Sequence, residues 1–382
     1  MAGIYVHIPY CKRKCVYCDF YSTPAMGDVE EYVGCVVREC AARREAVLGN
    51  ERVSTLYVGG GTPSLLSTGQ MHRLLDGLRS CADLSGVEEL TVEVNPDDVT
   101  SELMDCFASE GVNRVSMGVQ SFVDSELEFM GRRHNAAEAI EAIGTMRRAG
   151  IANVSIDLIY GVPGQTMESW RHSVEQAIAT GAQHISAYSL SYEPGTRLWV
   201  MRQQGKVRET DDEVCVAMYG HLASALKAAG YEHYEISNFA KPGFRSRHNS
   251  AYWDFTPYLG LGAAAHSYDG ASRSYNPSSI RQYVAAVNEC GTAAASEQLQ
   301  LWERYDEEVM LRLRTADGLD ARLLECRFGA EAARQFRRKA QRHIAQGLLR
   351  CRDGAYCLTD DGVMMADAVI RDLMWDCPTL RP

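Results

Sequence analysis

No run of eighteen apolar residues occurs anywhere in the 382-residue chain, so a membrane-spanning helix is not expected. The opening MAGIYVHIPYC also lacks the long apolar core and small-residue cleavage site of a secretory signal. Basic surplus is missing: a formal charge of −11 argues against attraction of the whole molecule to nucleic acid or anionic lipid, so no nucleic-acid partner is expected. The glycine-rich segment at residues 59–61 lacks the G-x-x-x-x-G-K-[ST] spacing of a phosphate-binding loop, which disfavours a nucleoside triphosphate cradle. Thirteen cysteines are present, but Cys35, Cys40, Cys81, Cys106, Cys215, Cys290, Cys326, Cys351, Cys357 and Cys377 show no paired spacing and are expected to be free thiols. These absences together fit a reducing cytoplasm. With 46% hydrophobic and 23% charged residues, the composition is that of a globular protein with one large domain and a small one.

The other three cysteines are different. Cys11, Cys15 and Cys18 form a C-x3-C-x2-C run directly after a β-branched and aromatic segment that reads as a strand. Thiols so close in one loop make a metal site more natural than three unrelated buried side chains. Zinc would want a fourth nearby Cys or His. A cubane [4Fe-4S] cluster has four iron corners, and three thiolates leave one open to a substrate or cofactor.

Strand-like runs recur at Ile4–Ile8, Thr55–Gly59, Glu89–Val94, Arg114–Val119, Val154–Ile159 and His184–Leu190. Segments with apolar residues at three- and four-residue intervals lie between them: Asp28–Leu48, Thr68–Cys81, Ser101–Glu110, Ala136–Ala149 and Met167–Thr180. Alternating strands and helices imply parallel pairing through right-handed crossovers, hence an α/β fold, a partial (β/α)6 barrel with functional groups at the C-terminal strand ends. Residues 192–283 look less regular. Beyond them Glu331–Gln346 has helical periodicity, and Asp353-Gly354 between two short apolar runs signals a hairpin, so a small winged-helix-like α+β module is expected. The resulting division is 1–235 for the core, 236–300 for a connecting region and 301–382 for the module. From Leu301 to Arg352 there are 12 Lys and Arg against 8 Asp and Glu, which reads as a solvated helix face.

The C-terminal strand ends carry unusual residues. Gly59, Gly60 and Gly61 precede Thr62-Pro63, and consecutive glycines let a ligand approach main-chain groups without interference from Cβ. Glu93, Gln120 and Asp157 each lie in or beside an apolar run, where a buried polar group wants a partner. Arg132 offers a planar fork for a carboxylate.

In order along the chain, YVHIPYCKRKCVYCDFYS, GGGTPSLL, EVNPDD, RVSMGVQSF, DLIYGVPGQT and HNSAYW resemble the oxygen-independent coproporphyrinogen oxidase group of the radical S-adenosylmethionine (SAM) superfamily, and within it the HemW heme-chaperone branch. The resemblance covers most of the chain. It implies a cluster on Cys11, Cys15 and Cys18, with SAM chelating the open iron and cleaved reductively. It also implies Tyr5, Gly60, Gly61, Thr62, Glu93, Gln120, Arg132 and Asp157 around SAM. The oxidase branch usually has a further Cys where this chain has Phe20, and a longer N-terminal extension. Both differences point to the chaperone branch. The segment His248–Trp253 resembles that branch's HNxxYW motif, which implies heme handling, with His248 on iron and Tyr252 and Trp253 against the porphyrin. The implied partners are a heme acceptor protein and an electron donor such as flavodoxin or ferredoxin, with membrane contact only through the acceptor.

The leading expectation is therefore a carrier with a redox site. The competing expectations are an enzyme that oxidatively decarboxylates coproporphyrinogen III, and a related radical SAM methyltransferase that shares the core motifs.

Overall fold

The computed structural model describes residues 1–375; Cys377 lies outside them. Six strands, β1 (Ala2–Ile8), β2 (Val53–Gly60), β3 (Glu89–Val94), β4 (Arg114–Gln120), β5 (Asn153–Tyr160) and β6 (His184–Ser189), stand side by side in chain order. Every neighbouring pair among them is parallel. Helices Val29–Leu48, Thr68–Cys81, Ser101–Ser109, Ala136–Arg148 and Met167–Ala179 fill the crossovers. Each begins where a short polar side chain, Asp28, Ser67, Thr100, Asn135 or Thr166, accepts a hydrogen bond from a backbone N–H of the first turn.

The run of six does not close on itself. On the β6 side the sheet continues through β7 (Glu232–Glu235) and β8 (Asn238–Ala240), with β8 pairing β6 antiparallel. On the other side β9 (Tyr258–Leu261) pairs parallel to β1, followed by β10 (His266–Tyr268), β11 (Ser272–Tyr275) and β12 (Ala295–Gln298). The segment expected to be less regular thus supplies strands to the sheet, and it also holds a seventeen-residue helix, Asp212–Ala228. Strands of three or four residues are too short to show alternation in sequence, and their order comes from pairing with distant strands.

Successive side chains on a strand point to opposite faces. Ile4, Val6 and Ile8, Leu56 and Val58, Leu90, Val92 and Val94, Val115, Met117 and Val119, and Val154, Ile156 and Leu158 point outward into one buried apolar layer under the helices. Each contributes roughly 2 kcal/mol by leaving water. The intervening positions point inward and are mostly polar: Tyr5 and His7, Thr55 and Tyr57, Thr91 and Glu93, Arg114 and Ser116, Ser155 and Asp157, His184 and Ser186. The stabilising core lies outside the barrel, and the lumen is a hydrogen-bonded interior.

A buried charge network fastens the sheet extension. Glu39, fully buried on the first helix, accepts from Arg43 at 2.7 Å, the Gly262 N–H at 2.9 Å, Asn276 at 2.8 Å and the Tyr283 hydroxyl at 2.8 Å. Arg43 in turn donates to the Gly260 carbonyl and to Ser267 and Ser274 of β10 and β11.

The C-terminal part packs helices Leu301–Leu313, Ala321–Ala345 and Ala366–Leu373 around its own apolar cluster. A three-stranded sheet covers it, formed by β13 (Leu319–Asp320), β14 (Leu349–Arg352) and β15 (Ala355–Leu358). The expected hairpin turns at Asp353 and Gly354, both with positive φ. Gly329 (φ 88°) breaks the long helix, so the helix foreseen from Glu331 is its second half. All twelve cysteines among the described residues are free thiols.

Removing Arg43 leaves Glu39 buried without its cation. Arg43→Met is expected to lower the unfolding free energy by about 3 kcal/mol. A urea midpoint equal to that of the wild type would show that the network adds no net stability.

Candidate cluster and cofactor site

At the C-terminal ends of the strands a cavity of about 170 Å³ opens. The loop after β1 brings Cys11, Cys15 and Cys18 to one wall, and Gly60, Gly61, Thr62, Glu93, Gln120, Arg132 and Asp157 line the rest. Ten of the residues expected to hold a cluster or SAM therefore share one space. Tyr5 is not among them. It sits lower in the lumen, its hydroxyl 3.1 Å from His7 Nδ1 and its ring beside those of Tyr57 and His248.

The walls are tied together strand by strand. Thr62 Oγ1 lies 3.2 Å from Cys11 Sγ and accepts from Asn95 Nδ2 at 3.0 Å. Asn95 Oδ1 accepts from Arg132 Nη2 at 2.6 Å, and Arg132 Nη1 reaches Cys15 Sγ at 3.4 Å. One hydrogen-bonded chain thus runs from the first cysteine to the second across β2, β3 and β4. Asn95 was not singled out as a site residue in the sequence, where it stands before Pro96 at a strand end, and nothing local distinguishes its role here. Arg132 also donates to the Gly118 carbonyl at 2.6 Å, so its fork is already partly engaged by the protein.

The glycines have a role beyond leaving room for a ligand. Gly60 has φ +110°, and a Cβ there would sit 2.7 Å from the His7 ring. A Cβ on Gly61 would meet the Tyr10 carbonyl at 2.6 Å. Both are required where β2 turns against the end of β1. Gln120, a non-glycine residue at φ +68°, ends β4 at a register shift beyond Gly118. Such strain persists only where the surroundings impose it.

Glu93 accepts from the Tyr57 hydroxyl at 2.7 Å and the Gly60 N–H at 2.9 Å. Burial nonetheless pushes its carboxyl up to about 7, with Asp157 adding to the rise and Tyr57, Gly60 and Arg114 opposing it. Burial likewise raises Asp157 to about 6 against the pull of Ser186, Arg114 and Arg132.

The donor set fits an iron–sulfur cubane. Three thiols face the cavity and no fourth thiol lines it. Among the described residues they do not converge on a point that a single ion would occupy, whereas a cubane takes each thiolate on a different iron. The glycine edge and the two carboxylates lining the same cavity suit a ligand carrying ammonium and sulfonium charge, as SAM does.

The residues expected to handle heme are elsewhere. Helix Arg247–Trp253 closes the N-terminal end of the barrel, where His248 N–H donates to Glu89 at the start of β3. His248 is 2% exposed, with Nδ1 2.8 Å from Thr55 Oγ1 and Nε2 2.9 Å from the Tyr252 hydroxyl. Both ring nitrogens are engaged, so in this conformation the imidazole has no nitrogen free for iron. Tyr252 packs edge-on against Tyr258, and Trp253 lies under the Arg314 guanidinium. In this conformation His248 and Tyr252 belong to the barrel floor and Trp253 lies beside them, partly buried.

A radical SAM superfamily model matches residues 5–177, and a HemN C-terminal domain model matches 299–365. The heme chaperone HemW of Bacillus subtilis is 34% identical over 97% of this chain and 98% of its own length. The chain belongs to the HemW family of radical SAM proteins. HemW of Escherichia coli is 39% identical over 69% of each chain. The solved structure of E. coli coproporphyrinogen III oxidase (HemN), described as a radical SAM enzyme, is 23% identical and superimposes with a TM-score of 0.83 over 98% of this chain and 90% of its own. That likeness shows the shared fold: an open, mostly parallel α/β core with a C-terminal module. HemW membership implies a [4Fe-4S] cluster and SAM as cofactors of the radical SAM part.

Two outcomes follow from this geometry. Changing Cys11, Cys15 and Cys18 together to Ala is expected to abolish visible iron–sulfur absorption after anaerobic reconstitution, while changing Cys35, Cys81 and Cys290 leaves it intact. The reverse pattern refutes the assignment. Burial, with Arg114 adding to it, lowers His248 to about 3, whereas an unfolded His titrates near 6.5. The unfolded chain therefore binds a proton that the folded one refuses, and stability falls as pH drops from about 6.5 to about 3. In His248→Asn this part of the pH slope should disappear from denaturant titrations; an unchanged slope means that other groups carry it.

Proposed function

We propose that this protein is a heme carrier with a radical SAM centre: it binds one [4Fe-4S] cluster, SAM and heme, and hands heme to an acceptor protein. The observation that supports the cofactor half is the single cavity holding three cluster-spaced thiols opposite Gly60, Gly61, Glu93 and Asp157. The heme half rests on membership of a family whose relatives are named heme chaperones. Phe20, about two-thirds exposed at the cavity mouth where the oxidase branch usually has Cys, agrees with a carrier.

In this reading a small reduced electron carrier such as flavodoxin or ferredoxin docks at the cluster loop. Arg13 and Lys14 at the cavity rim offer charge to an acidic partner. The acceptor receives heme from the cytoplasmic side, and any membrane contact is made through it. Among the described residues no helix is long and apolar enough to cross a membrane.

The decisive experiment supplies both substrates to reconstituted, reduced protein without oxygen. Heme is expected to give a perturbed absorption spectrum that saturates near one per chain, and SAM to release 5′-deoxyadenosine. Coproporphyrinogen III is expected to yield no protoporphyrinogen. Repeated turnover to a decarboxylated product would replace the carrier with an oxidase.

A further inference from the structure

Arg114 is one of the largest fully buried side chains in the molecule, at 1% exposure. It begins β4, two residues before Ser116 and four before Gly118, so it shares their inward face but lies one layer below the cavity. Among the described residues it makes no ion pair, and its Nε and Nη1 have no hydrogen-bond partner in the protein. Thr91, its register partner on β3, is fully buried with its hydroxyl likewise unpartnered. A guanidinium held this way is costly as a structural element, because nothing solid compensates its desolvation. Its charge, however, acts at longer range than a hydrogen bond.

The groups it acts on surround the floor of the cavity. Around Glu93 stand Tyr5 of β1, Tyr57 of β2, Arg114, Asp157 of β5 and Tyr252 of the floor helix. Around Asp157 stand Tyr57, Arg114, Ser186 and Tyr188 of β6, and Arg132. His184 and His248 lie nearby, and burial holds both neutral. The two cations in reach are thus Arg114 and Arg132, and Arg132 is engaged by Asn95, Gly118 and Cys15. Among the described residues no other cation acts on the two carboxylates from below.

We infer that Arg114 is a positioning residue for the SAM site, a fixed positive charge one layer below the cavity that favours the ionised forms of Glu93 and Asp157 and so their availability to a cationic ligand. The direction agrees with the electrostatics: both carboxyls sit above their ordinary values, and Arg114 lowers each. Without it, both carboxyls would rise further, and more of each would be protonated at neutral pH. The cavity would then present neutral acids to the ammonium and sulfonium of SAM. The inference rests on the SAM reading above only for its binding arm.

The test replaces Arg114 by Met, by Gln and by Lys in the full chain. Infrared pH titration follows the carboxylic acid carbonyl bands, assigned with Glu93→Gln and Asp157→Asn; this arm involves no SAM. Arg114→Met and Arg114→Gln are expected to raise both midpoints by about one to two pH units, and Arg114→Lys, which keeps the charge, to leave them within about half a unit. Equilibrium dialysis of reconstituted protein should show SAM affinity at pH 7.5 falling about tenfold in the neutral variants, recovering above about pH 9, and surviving in Arg114→Lys. Unmoved infrared midpoints in the neutral variants overturn the inference, whatever SAM does. Shifted midpoints with unchanged SAM affinity at every pH also overturn it, and further show that SAM is not held by these carboxylates. Should neither neutral variant fold, the lysine variant decides: midpoints shifted by more than about one unit despite the retained charge overturn the role.

Discussion

Charge buried inside a barrel is the constraint on which the rest of this molecule depends. Glu93, Asp157 and Arg114 point into a lumen that excludes bulk water, where an isolated ion is costly. The fold meets that cost with short hydrogen bonds from Tyr57 and Gly60 to Glu93, with Ser186 beside Asp157, and by placing opposite charges in one small volume. It can do so because the apolar core lies outside, between sheet and helices. The interior need not pack like a jigsaw to hold the structure together, so its side chains are available for chemistry.

The same logic divides the two ends of the barrel. At the top the polar residues converge on an open cavity with the three cysteines. At the bottom they are closed off by helix Arg247–Trp253, whose His248 bonds upward into the lumen through Thr55 and sideways to Tyr252. The floor is a hydrogen-bonded plug rather than a packed one. The Glu39 network performs the matching task outside the barrel, joining the first helix to strands more than two hundred residues away.

Much of this was legible in sequence because the six core strands and their helices carry strong period-two and period-3.6 patterns. The strand Glu89–Val94 and the helix Thr68–Cys81 were read to the residue, and other core ends moved by one or two. Glu93, Gln120 and Asp157 stood out as polar residues in apolar runs. Arg114 did not, because it opens its strand and looked like a boundary residue; its parity with Ser116 and Gln120 was the available signal. Asn95, placed before Pro96 at the end of β3, carried no local sign of its link to Thr62 and Arg132. The extension β7 to β12 was not legible, since strands of three or four residues are specified by distant partners. His248 was recognised as a special residue, but which way its imidazole faces depends on Thr55 and Glu89, far away in the chain.

The position of β1 in the sheet has a consequence for how the protein is made. One edge of β1 pairs with β2, complete by residue 60, and the other with β9, which ends at Leu261. At about 5–20 residues per second, some 200 residues of synthesis separate the two pairings by roughly 10–40 s. Throughout that interval the strand that carries the cysteine loop has one bare edge, and the barrel has no floor. Among the described residues the cavity beside Cys11, Cys15 and Cys18 is lined by none beyond Asp157, so its walls are all synthesised while the floor at the opposite end of the barrel is still unmade.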